Sequence, residues 1–500
     1  MPRTMTPPLT RNSHITARFV ARSIALLLAA SAGASLAPAA IAHAETGAAA
    51  PAPYVPGQLV VGYTGATSAR AQVASAHAAG AESEGDAEEA AANGSVRVLH
   101  LRRGASMQGA LARLRATRGV SFAVPDYVAH ATALNQPSAP TPTIEPTPFI
   151  PANVGESTTP GGWQALQWNF TGPESVEAPL AWGNLIADHA EGGRGVLVAV
   201  LDTGIAYRDW KHFKRSPGFR ASQFVRGRDF VNPGQPPVDH NGHGTFVAGE
   251  IAEETNVRYG LTGLAYNARL MPVRVLDSAG EGDALTIAQG IRYAVDHHAQ
   301  IINLSLEFPA AISAADVPEL TQALRYADER HVLVVAAAGN DSDEAIPYPA
   351  RAPGVVAVGA TTEHGCLADY SNFGHHIALV APGGGPDADL PGDPGCHPEQ
   401  APGRDVFQVT LLGSSTDRFG LPSGYEGTSM ATPEVAASAA LMIASGVLGK
   451  HPTPEAILAR LKATARPLGD AADRYVYGAG LLDAAAATAQ TTPVSSASRR

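Results

Sequence analysis

The sequence predicts an α/β fold with a mostly parallel central sheet, preceded by a small α+β domain. Three observations predict it. Val196–Leu201 and Val332–Ala338 are short, continuous, valine-rich runs, the pattern of strands buried on both faces. Each run ends at once in turn chemistry, Asp202-Thr203-Gly204 in one case and Gly339-Asn340 in the other. A long apolar run, Val435–Ile443, reads as a buried helix and is led in by Gly427-Thr428-Ser429-Met430-Ala431-Thr432-Pro433. In open α/β sheets chemistry gathers at the carboxyl ends of the strands, so these polar endings mark where a site is expected.

From the N-terminus, the first 44 residues read as an export signal. Arg3, Arg11, Arg18 and Arg22 form a positive region, Ile24–Leu28 opens an apolar core, and Ala42-His43-Ala44 has the small-x-small form of a cleavage site. A retained membrane anchor is the alternative; the apolar core is short and diluted by Ser, Gly and Pro, which favours cleavage. Residues 45–133 form a separate small unit. Gln58–Tyr63 and Val96–Leu101 read as strands, Met107–Leu114 has helical spacing, and Val120–Val124 reads as a last strand, with an alanine-rich stretch and a charged patch around Glu82 to Glu89 between the first two. Residues 134–162, dense in proline and threonine, read as an extended linker, residues 163–490 as the main domain, and 491–500 as a frayed polar tail.

Three residues of the main domain suggest nucleophilic catalysis. Ser429 stands at the start of a helix, where free N–H groups and the positive end of the dipole favour a developing negative charge. A serine is a weak nucleophile and needs a base. His243, in Asn241-Gly242-His243-Gly244-Thr245, opens a second helical pattern, and the dipole there disfavours the imidazolium form. Asp202 follows a buried strand. Taken singly, Asp202 reads as a turn aspartate, and His243 as a loop histidine or as part of a metal cluster with Asp239 and His240. The order Asp202, His243, Ser429 argues against an α/β-hydrolase, in which the serine comes first, and so against an esterase or lipase, a reading that a much higher rate on lipid esters than on peptides would revive.

These segments resemble the signatures of the subtilase family of serine proteases, over residues 163–490. The resemblance implies a subtilisin-like three-layer fold and an endopeptidase in which Ser429 attacks, His243 acts as base and then acid, and Asp202 orients the imidazole. It implies that Asn340 donates its side-chain amide to the oxyanion. It also implies that Gly280, Glu281 and Gly282 on one wall, and Ser305, Leu306 and Glu307 on the other, pair with an extended peptide. Residues 45–133 resemble the inhibitory propeptide of the family, a small ferredoxin-like domain whose C-terminal tail lies in the cleft, with self-cleavage expected near Ala131 to Leu134. Three positions depart from the family pattern: Glu307 where glycine is usual, and Phe246 and Glu434 where histidine is usual. Glu307, with Glu281 and Asp283, suggests an acidic cleft that accepts basic side chains; the alternative is that all three face solvent.

Composition bounds the rest. The formal net charge is −11 and no basic patch with interleaved aromatics occurs, which disfavours nucleic acid as a partner. The resemblance implies protein or peptide substrates and the chain's own propeptide as inhibitor; the enzyme is expected to act as a monomer without stable membrane association, secreted or periplasmic. No cofactor is expected for the chemistry; Glu253, Glu254 and Asn256 offer oxygens for a structural calcium ion without a distinctive pattern. Cys366 and Cys396 are the only cysteines, and in an exported chain either a disulfide or two separate thiols is open. A catalytically silent binding protein on the same fold remains the second function class.

Overall fold

In the computed structural model the described residues are 52–83, 95–132, 162–257, 260–389, 396, 403–469 and 474–490. The expected signal, nearly all of the linker and the tail lie outside them. The described residues all fall within one unit, Pro51–Arg500.

The N-terminal part is built from β1 (Tyr54–Tyr63), α1 (Ala69–Ala79), β2 (Ala81–Ser83), β3 (Val96–Leu101), α2 (Met107–Arg115) and β4 (Val120–Ala131). The strands lie in the order β4-β1-β3-β2, all antiparallel. Alternation decides the faces. Leu59, Val61 and Tyr63 of β1 point to a core closed by Ala76, Ala79, Leu111 and Leu114 of the two helices. Val60, Val96 and Val124 point the other way and pack on Leu285 of the main domain. The alanine-rich stretch is a helix, capped by Ser68 at its start and by Gly80 in the left-handed conformation at its end. β2 follows it, a strand absent from the sequence expectation.

The main domain centres on seven parallel strands: β5 (Leu197–Asp202), β6 (Arg228–Asp229), β7 (Arg269–Arg274), β9 (Ile301–Leu304), β11 (Leu333–Ala337), β12 (Val355–Thr361) and β13 (Ile377–Pro382), in the order β13-β12-β11-β9-β5-β7-β6. Two short strands, β8 (Glu281–Asp283) and β10 (Leu306–Glu307), stand apart from this sheet. Both faces are covered. Val198 and Val200 face one core, with α3 (His243–Ala252) and α6 (Thr428–Ser445), while Ala199 and Leu201 face the other, with α4 (Ala284–Asp296) and α5 (Pro318–Asp328). The continuous valine-rich runs have this cause: in a sheet sandwiched between helices, neither side of a strand meets water.

Cys366 and Cys396 form a disulfide, both buried, across a sequence separation of 30 residues. In the chain-entropy account a loop of this length stabilises the fold by roughly 3–4 kcal/mol. Replacing both cysteines by serine is expected to lower the unfolding free energy by about that amount, read by thermal denaturation in a protein that cannot digest itself; an unchanged melting temperature would mean the bridge contributes little.

Candidate active site

Asp202 ends β5, fully buried. Its Oδ1 accepts the N–H of Thr203 at 2.7 Å and lies 2.8 Å from Nδ1 of His243. His243 is the first residue of α3, and Asp239 holds that helix start in place. Asp239 Oδ1 accepts from the N–H groups of Asn241 and Gly242 and from Thr203 Oγ1, and its Oδ2 accepts from the N–H and hydroxyl of Thr245. Asp239 is therefore saturated by donors, the opposite of a metal ligand, and among the described residues no group of three or more His, Cys, Asp or Glu side chains is placed to hold a metal ion. Gly244 lets the helix start approach the strand end: a Cβ there would stand 2.2 Å from the carbonyl oxygen of Gly204 and 3.0 Å from Asp202 Oδ1.

Ser429 is the second residue of α6, where backbone N–H groups have no intrahelical acceptor. Pro433 lies inside this helix and has no N–H to give the carbonyl of Ser429, its i−4 partner. The hydroxyl of Ser305 fills that gap, donating to the Ser429 carbonyl at 3.0 Å. The proline therefore leaves the Ser429 backbone tied to Ser305, at the start of the segment that pairs with β4. Ser429 Oγ donates to the carbonyl of Ser305 at 3.2 Å and also bonds Thr132 Oγ1. Nε2 of His243 is buried with no hydrogen-bond partner among the described residues, so the Asp202–His243 pair is closed and the His243–Ser429 link is open.

Asn340 follows β11. Its Oδ1 accepts from the N–H and hydroxyl of Thr428, at 3.0 and 2.8 Å, which turns its amide nitrogen toward the cleft. That nitrogen donates to the carbonyl oxygen of Thr132.

Thr132 ends the N-terminal part, and the strand before it lies in the cleft. β4 pairs antiparallel with β8, Ala129 opposite Gly282 and His130 opposite Glu281, and with β10, Leu306 opposite Ala131 and Glu307 opposite His130. The N–H of Ala131 donates to Gly280 at 2.9 Å and that of Thr132 to Ser305 at 3.4 Å. Gly280, Glu281, Gly282, Ser305, Leu306 and Glu307 thus all border this strand, and His130, between Ala129 and Ala131, stands across from both Glu281 and Glu307.

The three acidic residues of the expected acidic cleft differ. Glu281 is exposed. Asp283 caps α4, accepting from the N–H of Thr286 at 2.7 Å and from its hydroxyl at 2.8 Å. The aspartate followed three residues later by threonine, ahead of an apolar helix, is the signal for a cap that the sequence reading passed over. Glu307 is buried, so the solvent-facing alternative fails for it.

The two other departures lie in the core. Phe246 stacks flat on Tyr425, ring centroids 4.3 Å apart. Glu434 is fully buried near a second buried carboxyl, Glu250, and a single amide nitrogen of Asn169 donates to both, at 2.6 and 3.1 Å. Burial, and then the charge of Glu250 on Glu434 and of Glu253 on Glu250, holds both carboxyls well above the usual range. The candidate calcium donors do not fit such an ion. Glu253 is buried against Gly218 and Gly260 with its carboxyl pushed up to about 8 by burial. Glu254 lies 3.5 Å from Arg220, and Asn256 is exposed.

A buried aspartate on a histidine, a serine at a helix start, and an amide on the carbonyl beside that serine make up the machinery of a serine-type acyl-transfer enzyme. Residues 193–480 match the subtilase family, and residues 40–126 match the fervidolysin N-terminal prodomain. The chain belongs to the subtilase family and is a serine-type endopeptidase with an N-terminal prodomain. It is 37% identical to an alkaline protease of Alkalihalobacillus alcalophilus over 328 residues, covering 65% of this chain and 70% of that one. It is 36% identical to subtilisin Savinase of Lederbergia lenta, covering 65% and 99%. Among solved structures, a protease from Pseudoalteromonas arctica PAMC 21717 superposes with a TM-score of 0.52 at 30% identity, covering 66% of this chain and 99% of that one. Subtilisins need no cofactor for catalysis, and no described helix is long and apolar enough to cross a membrane.

Proposed function

We propose that this protein is an exported endopeptidase, made as a zymogen that cuts its own chain between Thr132 and Ala133 and is then inhibited by the tail it has released. In this reading residues 1–44 are the signal, 45–133 contain the propeptide, 134–162 are the linker, 163–490 are the catalytic domain and 491–500 a loose tail. The supporting observation is the position of Thr132: its carbonyl oxygen takes the amide of Asn340 while its hydroxyl touches Ser429 Oγ.

The chemistry follows from that position. Ser429 turns from the carbonyl of Ser305 toward Nε2 of His243, which takes its proton. Oγ attacks the carbonyl carbon of Thr132, and the oxyanion is held by the amide of Asn340 and the N–H of Ser429. Asp202 stabilises the imidazolium. The tetrahedral adduct collapses to an acyl-enzyme as the Thr132–Ala133 bond breaks, and the amine of Ala133 leaves with the proton from His243. Water, deprotonated by the same histidine, releases the acyl group. A peptide substrate would take the path of residues 128–132, adding one strand between β8 and β10.

Two readouts test this. The mature protein is expected to begin at Ala133, or further along if the linker is trimmed, and Ser429 is expected to be labelled by a serine-directed phosphonate. A mature chain that still carries Thr132, or an enzyme that resists the phosphonate, would refute the assignment; resistance is what a silent binding protein on this fold would show.

A further inference from the structure

We infer that Glu307 makes this enzyme select a basic side chain at the third residue before the cleaved bond. The inference rests on the reading above, in which Thr132 is the residue next to the cut and His130 stands third from it.

The side chain of Glu307 is only 3% exposed, while the imidazole of His130, directly across the β4–β10 pair, is 51% exposed; Nε2 of His130 lies 3.5 Å from Glu307 Oε1. The other carboxylate oxygen, Oε2, is buried without a well-formed hydrogen bond among the described residues; burial raises the pKa of this carboxyl, and the backbone N–H of Asn340 only partly offsets that. Oε2 occupies the space over Gly339, where a Cβ would stand 2.3 Å from it, so the glycine before Asn340 is what lets the carboxylate lie there. Two further carboxylates, Asp341 and Glu281, act on the same histidine and, with Glu307, raise its pKa, the contact with Glu307 being the largest cause. Among the described residues, no lysine or arginine is a principal influence on His130 or on Glu307.

A buried carboxylate with one oxygen unpaired is costly, and a ligand that pairs it recovers that cost. His130 reaches one oxygen at long range. An arginine at this position carries a planar fork that can serve both oxygens, and a lysine carries three donors on a longer stem. A neutral side chain leaves the carboxylate unpaired, and an acidic one adds a like charge to three others. The position next to the cut is served differently, because Thr132 directs its hydroxyl to Ser429 and not to Glu307. Glu307 is thus a residue that reads the substrate two bonds away from the chemistry, through the face of the added strand shared by alternate residues.

The test uses the mature enzyme and peptides that differ only at the third residue before the cut: arginine, lysine, glutamine or glutamate. Arginine and lysine are expected to exceed glutamine in kcat/KM by about tenfold or more, the size of one hydrogen bond to a charged group, with glutamate lowest. In Glu307→Gln and Glu307→Gly the ratio of arginine to glutamine is expected to fall toward one. A wild-type enzyme indifferent to this position, or one whose basic preference sits at the residue next to the cut, overturns the inference even where neither variant folds; so does a preference that survives both substitutions. An enzyme that cuts none of the peptides, and no protein substrate, refutes the proteolytic reading beneath it instead.

Discussion

Full-length Ser429→Ala protein, produced alone, is expected to accumulate as the uncut precursor with its N-terminal part still docked. The substitution removes the hydroxyl proposed to attack and leaves the seat of the tail intact: the strand pairing of β4 with β8 and β10 and the N–H bonds from Ala131 and Thr132 to Gly280 and Ser305 are backbone contacts. Asn340→Ala separates bond-making from charge stabilisation. It keeps Ser429, His243 and Asp202 but removes the donor to the Thr132 carbonyl, and a single oxyanion donor is worth about 10²–10³ in kcat, a size known from this family. Asn340→Ala precursor should therefore process slowly but measurably, while Ser429→Ala should not process at all. Following intact mass over time with no other protease present distinguishes the two. A Ser429→Ala chain cut after Thr132 at the normal rate would show that another enzyme does the processing.

The placing of Asp202, His243, Ser429 and Asn340 at element ends was legible because each is announced locally, by a strand that ends or a helix that begins beside it. A valine run followed by Asp-Thr-Gly can be read from six or seven consecutive residues. The cap formed by Asp283 was equally local, and was missed only because its charge was assigned to the cleft. Glu434 was of another kind. Its partners Asn169 and Glu250 lie 265 and 184 positions away in the chain, on segments whose own patterns say nothing of each other. A glutamate in the middle of an apolar helix is a visible anomaly; which groups share its burial is set by packing, and periodicity does not carry that information. β2 is three residues long and offers too little alternation to be told from a turn.

Those buried carboxyls carry the other large effect: this protein is expected to lose stability as the pH rises. Glu250 and Glu434 are enclosed in the core with one amide nitrogen between them, and Glu253, whose charge also acts on Glu250, is itself pushed up to about 8. The folded chain therefore holds protons on these groups that the unfolded chain releases near 4.5. Stability is complete below that value, and each group still protonated in the folded state costs about 1.4 kcal/mol per pH unit above it, until its folded pKa is passed; for Glu253 the loss runs from about 4.5 to about 8. Asp126, buried against α4, and Glu319 of α5, pushed up to about 8, act in the same direction. Glu434→Gln mimics the protonated side chain: its amide oxygen can still accept from Asn169, and its nitrogen can donate to Glu250. In the Ser429→Ala background, where self-digestion cannot distort the measurement, melting temperature is expected to fall between pH 5 and pH 9, and to fall less steeply with Glu434→Gln. The difference between the two slopes reports Glu434 together with its effect on Glu250, apart from the carboxyls elsewhere in the chain. Equal slopes would place its titration outside this range, and a melting temperature that rises with pH would mean that the pair is held ionised in the fold.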